Sequence, residues 1–177
     1  KIQYYAFEGC SSLREVDIPE GVLEIENDTF MHCTSLTRVG IPESVTIIDS
    51  NAFDGCSSLA DVTIPESVET IELYAFRNCS SLAELVIPET VTSIGYAAFY
   101  GCTGLVNVTI PNSVTSLGDS VFQGCTSLTR VDIPDSVTSL GASAFKDCSG
   151  LTQVTIGKGV TEIGAYTFSH CRNLAAI

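Results

Sequence analysis

Eight cysteines divide this chain into steps of 23 residues, without one exception. All eight phenylalanines keep the same step, and each lies three residues before a cysteine, from Phe7 and Cys10 to Phe168 and Cys171. A strict period of this length indicates one supersecondary unit that is repeated and stacked, because a single unit cannot bury its own apolar face. The repeat therefore constrains the fold more than any long-range feature of the sequence.

Each repeat contains a short segment of the form Leu-x-x-Val-x-Ile, as at Leu128, Val131 and Ile133. The alternation predicts a short strand with Val and Ile pointing inward, and equivalent strands of successive repeats are expected to pair in parallel. Proline follows this segment in six repeats and closes the strand, because it cannot extend a ladder. A second apolar pair, such as Val137 and Leu140, predicts the next side of the coil.

The short segment before each phenylalanine is predicted to form a helical or 3-10 turn that packing holds in place. The residue two after each phenylalanine is of a type that tolerates a positive φ, so this column is expected to turn the chain inward in a left-handed conformation. The column contains Gly9, His32, Gly55, Asn78, Gly101, Gly124, Asp147 and His170. The predicted fold is a single α/β solenoid domain over residues 1–177, right-handed, with about 7.5 repeats and a cut within a repeat at both ends.

The cysteines permit three interpretations: a column of buried thiols, a disulfide ladder or a thiolate-metal ladder. Equivalent positions in adjacent coils, about 4.8 Å apart, project parallel Cβ vectors, which is the wrong orientation for a disulfide. Sulfurs in a straight row also cannot enclose zinc tetrahedrally. Buried thiols that pack as small hydrophobes are therefore the favoured interpretation, and neither a metal nor a cofactor is predicted.

The charge of the chain excludes one class of partner and favours another. The net charge of −13 and the pI near 4.2 argue against nucleic-acid binding, which needs lysines and arginines that face phosphates. Residues 1–89 hold 16 of the 21 acidic residues, so a basic surface or a cation would favour that half, unless the acids only keep the solenoid soluble. No run of 18 apolar residues is present, so no membrane span is expected.

Catalysis has little support in the sequence. The only histidines, His32 and His170, lie six repeats apart in the left-handed column, which removes the usual general base of a Ser-His or Cys-His mechanism. No phosphate loop, dinucleotide fingerprint or metal-ligand cluster appears. The chain is therefore predicted not to be an enzyme.

The outward positions of the strands are the main candidates for recognition. Inward columns are nearly uniform among the repeats, whereas these outward columns vary in charge and size, and repeat proteins commonly bind through such an extended surface. The candidate ligand-binding residues are Glu15, Asp17, Arg38, Asp61, Thr63, Glu84, Asn107, Thr109, Arg130, Asp132 and Gln153.

A line of mostly carboxylates after the strands is a second candidate. Hard cations prefer oxygen ligands, but only one carboxylate per coil is offered, so a solvated rim is the default interpretation. This column contains Glu20, Glu43, Glu66, Glu89, Asn112, Asp135 and Lys158. Tyrosines beside the phenylalanines, such as Tyr96 and Tyr100, either pack over the edge of the core or form an interaction patch.

The repeat resembles a known family. The Leu-x-x-Val-x-Ile segment is similar to the strand of leucine-rich repeats, and the unit with Ile-Pro-x-Ser-Val-Thr-x-Ile-Gly and Ala-Phe-x-Gly-Cys resembles the BspA-like leucine-rich-repeat class over essentially the whole chain. The resemblance implies a curved solenoid with its strands on the concave side, in large surface-exposed proteins. It also implies an extracellular or cell-surface location and adhesion to host matrix proteins or to other cells.

Two functions follow as alternatives. The first is a non-enzymatic binding or adhesion module whose partner is a host matrix protein, a cell-surface protein or a glycan. The second is a structural spacer or scaffold that projects another domain and has no ligand of its own. Neither terminus shows a polar capping repeat, so end-to-end or edge self-association is a further expected contact.

Overall fold

The computed structural model describes all residues, 1–177, as a stack of coils built from two series of short strands. The odd-numbered series consists of β1 (Glu15–Asp17), β3 (Arg38–Gly40), β5 (Asp61–Val62), β7 (Glu84–Val86), β9 (Asn107–Thr109), β11 (Arg130–Ile133) and β13 (Gln153–Ile156). The even-numbered series consists of β2 (Glu24–Ile25), β4 (Ile47–Ile48), β6 (Thr70–Ile71), β8 (Ser93–Ile94), β10 (Ser116–Leu117), β12 (Ser139–Leu140) and β14 (Glu162–Ile163). None of these elements is a helix, so the structure contains no helix that could span a membrane.

Every paired strand is parallel to the strand 23 residues further along the chain. Val16 lies opposite Val39 and Val131 lies opposite Val154, so a residue always faces its own equivalent in the next coil. The parallel pairing predicted from the repeat is confirmed. Six full turns separate the first strand of each series from the last.

The prediction of helical or 3-10 turns before the phenylalanines is not confirmed, since no helix forms in these segments. In these segments the backbone amides alternate between two kinds of acceptor: Met31 N–H donates within its coil to Asp28 C=O, whereas Phe30 N–H donates to Ala52 C=O of the next coil at 2.8 Å. Because every second amide is used between coils, a helical ladder cannot form. The segment is instead a series of hydrogen-bonded turns.

Two left-handed residues per coil bend these turns. The predicted column from Gly9 to His170 is confirmed, since all eight of its residues have φ between 59° and 76°. A second column, four residues earlier, has φ between 51° and 61° and was not predicted. It contains Tyr5, Asp28, Asn51, Tyr74, Ala97, Ser120, Ser143 and Tyr166. Tyrosine and alanine carry no preference for this conformation, so the inter-coil hydrogen bonds impose it.

The centre of the stack is a continuous column of phenylalanine rings. Successive rings are nearly parallel, with centroids 5.1 to 5.6 Å apart and interplanar angles of 4° to 15°. From Phe30 to Phe145 these side chains are fully buried, together with the Leu, Val and Ile columns of the strands. Offset stacking adds to the burial of each large ring, so the column stabilises every junction between coils.

The cysteines form a second buried column beside the phenylalanines. All eight thiols are free, and those from Cys33 to Cys148 are buried, as the favoured interpretation predicted. Each of these thiols also donates to the carbonyl of the phenylalanine 26 residues earlier, for example Cys79 Sγ to Phe53 O at 3.2 Å. That carbonyl already accepts the amide of Cys56, so the thiol occupies its remaining lone pair. Cysteine is therefore more than a small hydrophobe at this position.

Burial keeps these thiols protonated. Desolvation raises the pKa of Cys33 to about 11 and the pKa values of Cys102 and Cys148 to about 12. The pKa values of Cys79 and Cys125 shift in the same direction for the same reason. Because the thiolate is the reactive form, the buried thiols from Cys33 to Cys148 are expected to react slowly in the folded protein, whereas Cys10 is exposed.

The raised thiol pKa values predict loss of stability in alkaline solution. An unfolded thiol loses its proton near pH 8.5, whereas the folded thiols keep theirs, so the unfolded state is favoured as the pH rises above that value. We expect the free energy of unfolding, measured in urea, to be constant up to about pH 8 and then to fall by roughly 1–2 kcal/mol per buried thiol by pH 10. A C102A/C125A variant should show a smaller fall, and equal slopes for the two proteins would contradict the prediction.

One buried carboxylate forms an ion pair between two coils on the turn side. Asp54 has no exposed side-chain area and accepts two hydrogen bonds from the Arg77 guanidinium, with Nε at 2.9 Å from Oδ1. The Arg77 side chain is 32% exposed, and its guanidinium lies 4.6 Å from the centre of the Tyr74 ring. This pair satisfies a charge that would otherwise be isolated in the core.

Removal of only one partner should therefore be more harmful than removal of both. We expect R77L to lower the free energy of unfolding by about 3 kcal/mol, because it leaves the Asp54 carboxylate buried and unpaired. The double variant D54A/R77L should regain part of that loss. Urea unfolding of both variants measures the difference, and a double variant that is less stable than R77L would show that packing matters more than charge.

The odd-strand face as a candidate binding surface

All eleven candidate residues lie on one surface, the outward side of the odd-numbered strands, which we name the odd-strand face. Ten of them are exposed and Arg38 is half-buried. The parallel register sets Glu15, Arg38 and Asp61 side by side, and it sets Arg130 beside Gln153 further along the same column. The period of two places these side chains on one face, and the parallel stacking of coils brings together residues that are 23 positions apart in sequence.

The first end of the face neutralises its own arginine. The Arg38 guanidinium donates two hydrogen bonds to the Asp17 carboxylate, at 2.8 and 3.1 Å, and lies 3.5 Å from a Glu15 oxygen. The hydrogen bond from Arg38 lowers the pKa of Asp17. The cation of Arg38 is thus held toward β1 and away from the middle of the face.

The other end of the face does the same. The Arg130 guanidinium donates to the Asp132 carboxylate at 2.9 and 3.2 Å, and its Nη1 lies 3.4 Å from the side-chain oxygen of Gln153. Hydrogen bonds from Arg130 and Thr155 lower the pKa of Asp132. Both arginines of the face are therefore already paired.

Between these ends the odd-numbered sheet is interrupted twice. It consists of three separate parts, β1-β3-β5, β7-β9 and β11-β13, so β5 does not pair with β7, nor β9 with β11. Each interruption forms a cleft: about 430 Å³ between β5 and β7, and about 210 Å³ between β9 and β11. Below the larger cleft β6 still pairs with β8, and the rings of Phe53 and Phe76 lie 5.1 Å apart. The opening is thus confined to the odd-strand face.

Four carboxylates surround the larger cleft, which we name the β5/β7 cleft. Asp61 and Glu84 border it as outward strand residues, and Glu43 and Glu66 border it from the column that follows the strands. None of the four takes part in an ion pair. Val86 also lines this cleft and is 70% exposed. The cleft is therefore anionic at its border and apolar at one wall.

Sequence reasoning identified part of this cleft. Asp61, Thr63 and Glu84 are among the residues that the sequence predicts for binding, whereas Glu43 and Glu66 belong to the separate carboxylate column and Val86 belongs to neither set. One signal was available for Val86, which is the only large apolar residue in an outward column of polar residues and glycine. No residue pattern in the sequence predicts the interruption of the sheet.

Two other carboxylates of the column that follows the strands have a structural role. Asp135 Oδ1 accepts the backbone amide of Lys158 at 2.7 Å, and Glu89 Oε2 accepts that of Asn112 at 3.0 Å. Each carboxylate thus satisfies an amide of the next coil. No group of three or more His, Cys, Asp or Glu side chains lies close enough to hold a metal ion.

The two histidines lie at turns, as predicted. Both have positive φ, 61° at His32 and 63° at His170, and both are exposed. His170 Nδ1 lies 2.7 Å from an Asp147 oxygen of the preceding coil. The histidines occupy the same column six coils apart and cannot act together.

Of the two roles that the sequence left open for the tyrosines, the structure shows packing over the edge of the core. The Tyr74 ring packs edge-on against Tyr96, with centroids 5.2 Å apart and an angle of 89°. Tyr96 and Tyr100 nevertheless remain 48% and 37% exposed. These rings cover the edge of the core on the turn side, away from the odd-strand face.

Several solved structures are similar to this chain, and three of them illustrate the degree of likeness. A leucine-rich repeat protein of T. pallidum is 32% identical, with a TM-score of 0.76 over 98% of this chain and 71% of that one. A leucine-rich repeat protein of Bacteroides ovatus is 26% identical, with a TM-score of 0.69 over 99% of this chain and 70% of that one. A leucine rich cell surface protein of Faecalibacterium prausnitzii is 29% identical, with a TM-score of 0.65 over 99% and 62%. No curated protein matches the chain.

The repeat itself matches a family model, the BspA type leucine rich repeat region, over residues 1–103 and 69–177. That model finds six copies, so it does not reproduce the count of about 7.5 repeats made from the sequence. Neither the family nor the three neighbours indicates a catalytic class. The match extends from the first residue to the last, and the chain belongs to the BspA-type leucine-rich repeat family.

Proposed function

We propose that this chain is a non-enzymatic binding module of a cell-surface or secreted protein, and that it contacts a protein or glycan partner through the odd-strand face. The observation that carries the proposal is that the outward columns of the odd-numbered strands vary in sequence whereas the inward columns do not. The inward positions repeat the same residue types in every coil, while the eleven outward positions differ from coil to coil and are not constrained by packing.

The charge layout of the face supports a specific partner. Each end pairs its arginine internally, at Arg38 and at Arg130, and the middle keeps unpaired carboxylates around an open cleft. Electrostatic complementarity of this kind raises the rate and the specificity of association. Since all these groups share one surface, one partner could contact them together.

A surface location has support from similarity. One of the neighbours, from Faecalibacterium prausnitzii, is described as a leucine rich cell surface protein. Members of the BspA-like class are associated with adhesion, which agrees with an exposed recognition surface that has no catalytic constellation. Adhesion to a host matrix protein or to another cell is therefore the role that we assign to the face.

A structural spacer is the second candidate, and the phenylalanine column favours it. Eight stacked rings and one continuous core join all the coils, including those between which the odd-numbered sheet is interrupted, as a rigid projecting rod requires. A spacer would need no partner for the odd-strand face. The two candidates therefore differ in whether that face binds anything.

Alanine variants separate the two candidates. In a screen against matrix proteins and glycans, we expect R38A/D61A/E84A/R130A to bind at least about tenfold more weakly than the unmodified protein, since charged anchor residues dominate interface energies. Its free energy of unfolding should change by no more than about 1 kcal/mol, because three of these side chains are exposed, Arg38 is half-buried, and surface ion pairs are weak.

A charge-matched control makes this result specific. The variant E8A/E69A/K146A/R172A also removes two acids and two bases, but away from the odd-strand face. It should bind like the unmodified protein. Unchanged binding by the face variant would exclude the odd-strand face, and a protein that binds no probe in any form would support the spacer.

A further inference from the structure

The β5/β7 cleft combines three features that no other part of the surface combines. It is the larger of the two openings in the odd-numbered sheet, four carboxylates border it, and Val86 exposes an apolar wall. The smaller opening between β9 and β11 is bordered by one carboxylate, that of Asp132, which Arg130 already neutralises. Both clefts lie at an interruption of the sheet, so the interruption alone does not account for the four carboxylates around the larger one.

Backbone groups are also available in this cleft. β5 pairs only with β3, and β7 pairs only with β9. The backbone amides and carbonyls on the edges of β5 and β7 that face each other therefore have no partner strand. Unpaired strand edges are templates for an extended chain. A ligand with main-chain donors and acceptors would satisfy these groups, whereas a simple ion would not.

The negative charge of the cleft favours a ligand with cationic side chains. Glu43, Asp61, Glu66 and Glu84 have no cationic partner within the protein, because Arg38 and Arg130 are held at the two ends of the face. The carboxylates are distributed around the cleft and do not converge as metal ligands do. Lysine or arginine side chains on an extended backbone reach several separate carboxylates at once, with a repeat of about 6.6–6.8 Å along one face of the strand.

We propose that the β5/β7 cleft binds an extended, cationic polypeptide segment that presents several basic residues and one apolar residue on the same face. The basic side chains pair with Asp61 and Glu84 and with the two flanking glutamates, and an apolar side chain packs on Val86. The segment runs along the exposed strand edges, where its backbone meets their unpaired groups. This inference rests on the proposed function and names the partner chemistry of the odd-strand face.

A synthetic peptide of about ten residues, with four lysines and one valine at alternate positions and serine between them, tests the proposal by isothermal titration. We expect D61N/E84Q to bind this peptide about tenfold more weakly than the unmodified protein, because two charged contacts are lost. The control E20Q/E69Q removes the same charge from exposed positions that do not line the cleft, and it should weaken binding less than about twofold. Both substitutions keep side-chain size, so both variants should fold.

Three results would overturn the proposal. Equal weakening in D61N/E84Q and in the control would mean that the peptide responds only to the net charge of the protein. Equally tight binding of spermine or of Ca²⁺ alone, with the same dependence on Asp61 and Glu84, would mean that the cleft takes small cations. Undiminished binding of a peptide with serine in place of valine would remove the contact with Val86.

The outcome is separate from that of the proposed function. If D61N/E84Q binds the peptide like the unmodified protein while R38A/R130A loses a matrix or glycan partner, the cleft proposal fails and the odd-strand face remains the binding surface. If the peptide behaves as expected and no substitution on the face affects a partner, the cleft is a cationic-peptide site and the proposed function fails.

Discussion

The hydrogen bonding from each coil to the next is the constraint on which the rest of the structure depends. Strand residues face their equivalents 23 positions away, and on the turn side every second amide donates across the same junction, as from Phe30 to Ala52. These bonds need a constant rise from coil to coil, which agrees with repeats that contain neither an insertion nor a helix. The stacking of Phe53 on Phe76 and the bond from the Cys79 thiol follow from that rise.

This constraint also explains why the buried residues are so uniform. A phenylalanine carbonyl receives one amide from its own coil and one thiol from the following coil, so cysteine is useful at each repeat for the same reason. Left-handed residues occur at two positions per coil for the same geometric reason, even where the residue is Ala97. Function has room only where the repeat makes no such demand, on the outward side of the odd-numbered strands and on the tyrosine side.

Much of the architecture could be predicted, because the period reports on packing directly. The strand positions, their parallel pairing, the buried thiols and one left-handed column all follow from which residue types recur every 23 positions. The helical turns could not be judged from sequence, since local propensity does not reveal that the amides are used between coils. The Asp54 and Arg77 pair was equally hidden, because it occurs once and breaks the pattern of its columns.

For the candidate site, the sequence by itself determined which side chains point outward, because alternation along a strand assigns each residue to a face. Only the tertiary structure decided how these side chains are grouped. It paired Arg38 with Asp17 and Arg130 with Asp132, interrupted the sheet between β5 and β7, and brought Glu43 and Glu66 beside Asp61 and Glu84. The physical reason is that side-chain direction is a local property of the backbone, whereas ion pairing and the opening of a sheet depend on distances between coils.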